Sequence, residues 1–273
     1  MAVDPSDPSG TRLVSAGFDN KVRLWNVGLG QELRGFSGHS DQLRDVAFSG
    51  DGALLATAAA DGTAMLWRID GDDRPITTVS HKELGKPTQI QKVAFDPDGN
   101  QWVTAGLDGT IRSWDFQGQE LGRITVPKRA GVFSMALDRD GRTIAVVTAD
   151  SSLYLWPMAA ITRSQDIPPR ACARVKPPSC AAISFSPDGR TLAVACADNT
   201  VRLFDAASCK ETKSINVHLD FVNDAVFSPD GKDLATGSRD RRFQVSPLNV
   251  EDLLALARRK LDKGATDEDR PHD

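Results

Sequence analysis

The sequence predicts an all-β fold assembled from six copies of one unit, and three observations lead there. First, the segments VAFSGDGALLATAAADGTAMLW, VAFDPDGNQWVTAGLDGTIRSW, MALDRDGRTIAVVTADSSLYLW, ISFSPDGRTLAVACADNTVRLF and VFSPDGKDLATGSRDRRFQVS align without a gap and share Asp61, Asp108, Asp150, Asp198 and Asp240. An earlier copy, SGTRLVSAGFDNKVRLWN, adds Asp19, so the six Asp residues are 42, 47, 42, 48 and 42 positions apart. Second, apolar residues alternate with others within each copy, as in Val93 and Phe95, Leu192 and Val194, or Val201 and Leu203. Turn signals at Gly and at Asp-Gly or Asp-Asn separate these runs. Third, the step from Phe48, Phe95, Leu137, Phe185 or Phe227 to the Asp of the same copy is always 13 residues, a rigidity that implies tight packing of every copy.

Each element follows from this pattern. A copy reads as strand, turn, strand, turn, strand. A short segment after each aromatic residue, such as QELRGFS from Gln31 to Ser37, supplies a fourth strand. Four antiparallel strands per repeat make a β-propeller blade. The expected fold is a six-bladed propeller over 1–247, with a last blade lacking its fourth strand. Copy one begins inside its first strand at Met1-Ala2-Val3, so the ring is expected to be open, with an edge that invites pairing. The longer spacings come from insertions at Gly71 to Gln89 and Thr162 to Pro178.

After Pro247 the periodicity becomes helical. Asn249 caps the helix, Leu248 and Leu253 staple it, and Val250, Leu253, Leu254, Ala257 and Leu261 share a face. The short C-terminal α-helix over 248–262 is expected to pack on the propeller. Residues 263–273 form an acidic tail expected to be disordered.

Composition excludes several classes of function. With 40% hydrophobic and 26% charged residues the chain is of ordinary globular type. Its formal charge is -4, of which the tail supplies most, so the body offers no basic footprint for nucleic acid. No apolar run approaches the ~18 residues of a membrane span. Cys172, Cys180, Cys196 and Cys209 lack metal-ligand spacing, and the expectation is neither a zinc site nor a disulfide framework, in a reducing cytoplasmic setting. Asp96-Pro97-Asp98-Gly99 and Asp138-Arg139-Asp140-Gly141 look like calcium loops, but Ala105 and Val147 stand where a closing Glu is needed. They read as β-turns in which Gly supplies a positive φ.

Gly38-His39, Ser-Pro-Asp-Gly at 186–189 and 228–231, and a six-residue step from Asp to Trp25, Trp67, Trp114 and Trp156 make the chain resemble WD-repeat propellers from Met1 to Pro247. Phe204 replaces the Trp in copy five, and Ser246 departs from the pattern in copy six. The resemblance implies a structural network in which Asp accepts from a loop His, which bonds a Ser or Thr and through it the Trp indole. His39, Thr57, Asp61 and Trp67 form a complete set. Thr104, Asp108 and Trp114 form another, with His81 displaced by an insertion of five, and His218, Thr236 and Asp240 a third without the Trp. Asp19 with Trp25, Asp150 with Trp156, and Asp198 keep parts of it.

The network explains the repeated Asp residues without catalysis, metal or cofactor, and no Ser or Cys nucleophile pairs with a His outside it. Specificity then rests on loops. The resemblance implies a protein or peptide partner on the face that carries the repeated Asp turns, where Phe18, Leu107 and Arg239 precede the Asp. Leu43, Phe133 and Phe221, which enter first strands, surround them or pack between blades. The LLALARR segment at 253–259 is similar to the ends of large bacterial signalling proteins, in which WD repeats follow a signalling domain. The expected function is a non-catalytic interaction scaffold or sensor in such a system, fused to or associated with an upstream domain. An enzyme using the channel and a truncated remnant are the alternatives.

Overall fold

A computed structural model describes residues 1–83, 85–162, 167–174, 180–216 and 218–248. Blade one is β1 (Ala2–Val3), β2 (Arg12–Ala16), β3 (Lys21–Asn26) and β4 (Gln31–Ser37). Blade two is β5 (Leu43–Phe48), β6 (Leu54–Ala59), β7 (Thr63–Arg68) and β8 (Thr77–Ser80), followed by a two-stranded hairpin of β9 (Lys82–Glu83) and β10 (Lys86–Pro87). Blade three is β11 (Ile90–Phe95), β12 (Trp102–Gly106), β13 (Thr110–Trp114) and β14 (Glu120–Thr125). Blade four is β15 (Val132–Leu137), β16 (Thr143–Thr148), β17 (Ser152–Pro157) and β18 (Arg170–Arg174), with the one-turn helix α1 (Ala159–Thr162) before its last strand. Blade five is β19 (Cys180–Phe185), β20 (Thr191–Cys196), β21 (Thr200–Asp205) and β22 (Glu211–Asn216). Among the described residues blade six has three strands, β23 (Val222–Phe227), β24 (Asp233–Ser238) and β25 (Phe243–Pro247). Every blade is an antiparallel meander in chain order, as the repeat predicts.

Two turns recur because two backbone shapes recur. Between first and second strands, Gly52, Gly99, Gly141, Gly189 and Gly231 take φ between 65° and 72°, which a side chain rarely permits. Ser49, Ser186 and Ser228 donate their hydroxyls to Asp51, Asp188 and Asp230 at 2.6 Å across the same turns. These acidic groups are thus spent on turn hydrogen bonds. Between second and third strands the residue after each repeated Asp is also left-handed: Asn20, Gly62, Gly109, Ser151, Asn199 and Arg241.

Among the described residues the core is divided into five apolar layers, one between each consecutive pair of blades. Val14, Val22 and Leu24 of blade one meet Leu43, Val46, Leu55 and Trp67 of blade two. The same arrangement joins blades two and three, three and four, four and five, and five and six. Among the described residues no such layer joins blade six to blade one. Met1 and Val3 of blade one are exposed, as are Val226, Phe243 and Val245 of blade six. The helix and tail expected after Pro247 lie outside the described residues beyond Leu248. None of the described helices is long and apolar enough to cross a membrane.

The cysteines overturn the sequence expectation. Cys180 in β19 faces Cys196 in β20, and the two form a disulfide. Cys172 in β18 bonds Cys209 in the turn after β21, so blade four is linked covalently to blade five. Their spacing of 16 and 37 residues carries no signal, because strand register and blade stacking bring the pairs together. The reading of reduced thiols is therefore corrected.

Candidate functional site

The repeated Asp residues sit on the turns between second and third strands, and one backbone bond fixes that face. The N–H of Ala60, Leu107, Ala149 and Arg239 donates to the carbonyl of Gln42, Gln89, Gly131 and Phe221 respectively, just before the first strand. Behind this rim lie the networks. In blade two, His39 Nδ1 is 3.1 Å from Asp61 Oδ2, His39 Nε2 is 2.8 Å from Thr57 Oγ1, and Trp67 Nε1 donates to Thr57 Oγ1 at 3.0 Å. A carboxylate only accepts, so Nδ1 carries the hydrogen toward Asp61, while Thr57 Oγ1 accepts from the indole and lies within hydrogen-bond distance of both His39 Nε2 and the Met65 carbonyl.

Blade three has the same chain in full: His81 to Asp108 at 3.1 Å, His81 to Thr104 at 2.8 Å, and Trp114 Nε1 to Thr104 at 2.8 Å. The insertion of five does not displace His81 after all. The extra residues leave as the β9–β10 hairpin and return at Thr88, whose N–H donates to the carbonyl of His81. In blade six His218 bonds Asp240 at 2.9 Å and Thr236 at 2.8 Å, and the chain stops there.

The sequence reading missed a second donor. Arg112 bonds Asp108 at 2.8 Å, and Arg23 and Arg202 bond Asp19 and Asp198 at 2.5 Å. In blades one and five the Arg stands in for the missing His. The signal was the Asp-x-x-x-Arg spacing at 19/23, 108/112 and 198/202, which puts the two residues beside each other across a tight turn. Trp25 Nε1 donates to Ser15, and Asp150 accepts from Thr148. Trp156 is buried beside Tyr154.

Burial opposes ionisation of Asp61 and Asp108, yet hydrogen bonds from His39 and Thr63, and from His81 and Thr110, outweigh it and hold both carboxyls well below the usual range. Asp240 is lowered to about 2, where the Leu219 and Arg242 N–H groups and His218 overcome the same opposition. Burial lowers His81, against the pull of Asp108. A depressed carboxylate adds stability that is present above its unfolded value and lost as pH falls through the folded one. A His held neutral loses stability below its unfolded value, since the unfolded chain binds a proton that the folded chain refuses. Thermal unfolding midpoints should therefore hold above pH about 6.5, decline gently below it, and fall steeply below about pH 4. A midpoint that rises on acidification from pH 7 to 5 would contradict this assignment.

The partner-face residues divide. Phe18 is 73% exposed, and Arg239 lies exposed with its guanidinium 4.8 Å from the centroid of the Phe221 ring, which is itself 39% exposed. Leu219, absent from the sequence candidates, is 77% exposed beside them in chain order. Leu107 and Phe133 are half-buried. Leu43 is corrected: at 3% exposure it belongs to the layer between blades one and two, because the first residue of β5 points between the sheets.

The family description "WD domain, G-beta repeat" matches residues 1–26, 30–68, 74–115, 118–157 and 209–245, well over half of the chain. The chain belongs to the WD-repeat family. The description "Anaphase-promoting complex subunit 4 WD40 domain" matches residues 173–226, across blade five. Similar proteins include Nuclear distribution protein PAC1-2 of Uncinocarpus reesii, 38% identical over 78 residues, which are 28% of this chain and 17% of that protein. Small ribosomal subunit protein RACK1 of Caenorhabditis elegans is 40% identical over 58 residues, 21% of this chain and 18% of its own. Coronin-7 of Bos taurus is 36% identical over 64 residues, 23% of this chain and 7% of its own. The chain thus spans less than a fifth of the length of these three relatives, all of them from eukaryotes.

Proposed function

We propose that this chain is a non-catalytic protein-interaction module that receives a protein or peptide partner on the face of the repeated Asp turns. The observation that carries the reading is the exposed Arg239 stacked on Phe221, with Leu219 exposed two residues before Phe221 in the chain and Phe18 exposed at the equivalent turn of blade one. Exposed aromatic and Arg side chains together are the composition of binding hot spots. The His and Asp pairs that suggest catalysis are held instead in hydrogen-bond chains ending on buried Thr and Trp side chains. Membership of the WD-repeat family supports the same reading, and one relative is by name a ribosomal subunit protein. The finer reading, a scaffold or sensor associated with an upstream bacterial signalling domain, rests on the likeness of the 253–259 segment alone, and the cytoplasmic setting loses its basis in reduced thiols to the two disulfides.

Affinity capture with the immobilised full chain tests the face. A triple variant, Phe18→Ala with Leu107→Ala and Arg239→Ala, should recover a captured partner about tenfold less than wild type, at unchanged thermal stability. Equal recovery by both proteins would remove the Asp-turn face from consideration.

A further inference from the structure

The two disulfides border the same apolar layer and differ in access. Cys180 and Cys196 are 0% exposed and belong to the cluster between blades four and five. A reductant reaches them only if β19 and β20 part and that layer opens. Cys172 and Cys209 pack at the margin of the same cluster and are partly exposed. Their bond ties β18, the outer strand of blade four, to the turn after β21 in blade five. Arg170 of β18 stands beside this bond. Its Nε is 3.2 Å from Cys209 Sγ, and its Nη2 donates to the carbonyl of Ala206, so the guanidinium is anchored against that sulfur. Asp205 also feels this charge, yet its carboxylate accepts from the N–H of Ser208 at 2.6 Å. Arg170 and Ala206 line an open cleft between the two blades with Leu155, Trp156, Phe185 and Ala207, which gives a small thiol a way in.

We propose that the Cys172 to Cys209 disulfide is a redox site, opened in the folded chain by exchange with a dithiol while the Cys180 to Cys196 disulfide stays closed. A positive neighbour stabilises a thiolate, and the sulfur that forms the more stable thiolate leaves faster. Arg170 makes Cys209 that sulfur. A thiolate of the reductant therefore attacks Cys172 Sγ, the bond to Cys209 breaks, and Cys209 departs with the electron pair beside the guanidinium. The second thiolate of the reductant then attacks the reductant's own sulfur in the mixed disulfide. Cys172 leaves and takes a proton from solvent, and the dithiol is released as a disulfide. Two electrons have passed to the protein, and the two protons of the dithiol have gone to solvent. The physical result is local. β18 stays paired with β17 through Ser152 to Leu155 but loses its covalent tie to blade five. The link between blades four and five thus follows the thiol and disulfide balance of the surroundings.

The test uses the full oxidised chain under native conditions, with dithiothreitol as the dithiol, timed alkylation by iodoacetamide and peptide mass mapping. Cys172 and Cys209 should be alkylated about tenfold or more faster than Cys180 and Cys196. The β18 amides should then exchange their hydrogens faster, with those of β19 and β20 unchanged. In the wild type, brief exposure to glutathione should trap the mixed disulfide on Cys172, with Cys209 free to be alkylated. Arg170→Gln, at an exposed position, should keep the melting curve of the oxidised chain and slow reduction about threefold, and Arg170→Lys should restore most of the rate. If Arg170→Gln fails to fold, the glutathione trap in the wild type decides. Both pairs opening together at the rate of global unfolding would overturn the proposal, as would glutathione found mainly on Cys209. So would a folded Arg170→Gln chain reduced as fast as wild type, or an oxidised chain in which Cys172 and Cys209 are not bonded to each other. The triple variant of the Asp-turn face should be reduced at the wild-type rate, so the two assignments succeed or fail separately.

Discussion

Asp108→Ala is expected to lower the stability of the folded chain by about 3–5 kcal/mol, the range for removing one partner of a buried charge pair. Asp108 accepts from His81 Nδ1, from the N–H and hydroxyl of Thr110, and from Arg112, and all of these groups are buried. Once it is gone, the Arg112 guanidinium remains in the sheet with Glu120 3.7 Å away as its nearest carboxylate. The loss is then set by leaving donors unsatisfied more than by the hydrogen bonds themselves. Urea unfolding of purified wild type and variant measures it directly. Asp19→Ala is the control. Its carboxylate is about half exposed and also bonds an Arg, so water replaces the lost contact and the change should be far smaller. Similar effects at the two positions would show that burial does not govern the network.

Trp67→Ala should be about as damaging, at about 3–5 kcal/mol. The Trp67 ring is 1% exposed, lies 5.7 Å from Phe36 of the preceding blade, and donates its indole N–H to Thr57. Its removal opens a cavity in the layer between blades one and two and strips Thr57 of a donor. Trp25 occupies the same place in blade one and makes the same type of bond, to Ser15, yet it is only half-buried, since no preceding blade packs over it among the described residues. Trp25→Ala should therefore cause a clearly smaller loss in the same assay. Equal losses would mean that something covers the open face of blade one in solution.

Much of the fold was legible because it is repetitive. A gap-free alignment of copies carries its own register, and a fixed step of 13 residues from strand to Asp leaves little room for a different pairing. The complete His39 network was legible for the same reason. Other features depended on interactions between copies. His81 looked displaced because distance along the chain was counted, whereas the β9–β10 hairpin absorbs the extra residues and leaves the ring in place. Leu43 looked like a surface candidate because the entry to a strand can point either way, and only the stacking of blade two on blade one puts it inside. Leu219 and the stacking of Arg239 on Phe221 had no periodic signature at all.

By itself, the sequence determined the all-β class, six blades, and the His, Thr, Asp and Trp residues of the hydrogen-bond chains, since these are local and recur every 42 to 48 positions. Only the tertiary structure decided which cysteines pair, which Arg residues replace a missing His, which partner-face residues reach the surface, and that blades six and one share no apolar layer among the described residues. The physical reason is the same in each case. Those features are set by the approach of one blade to another, or of one strand to its neighbour, and such contacts between residues far apart in the chain leave no period in a single sequence.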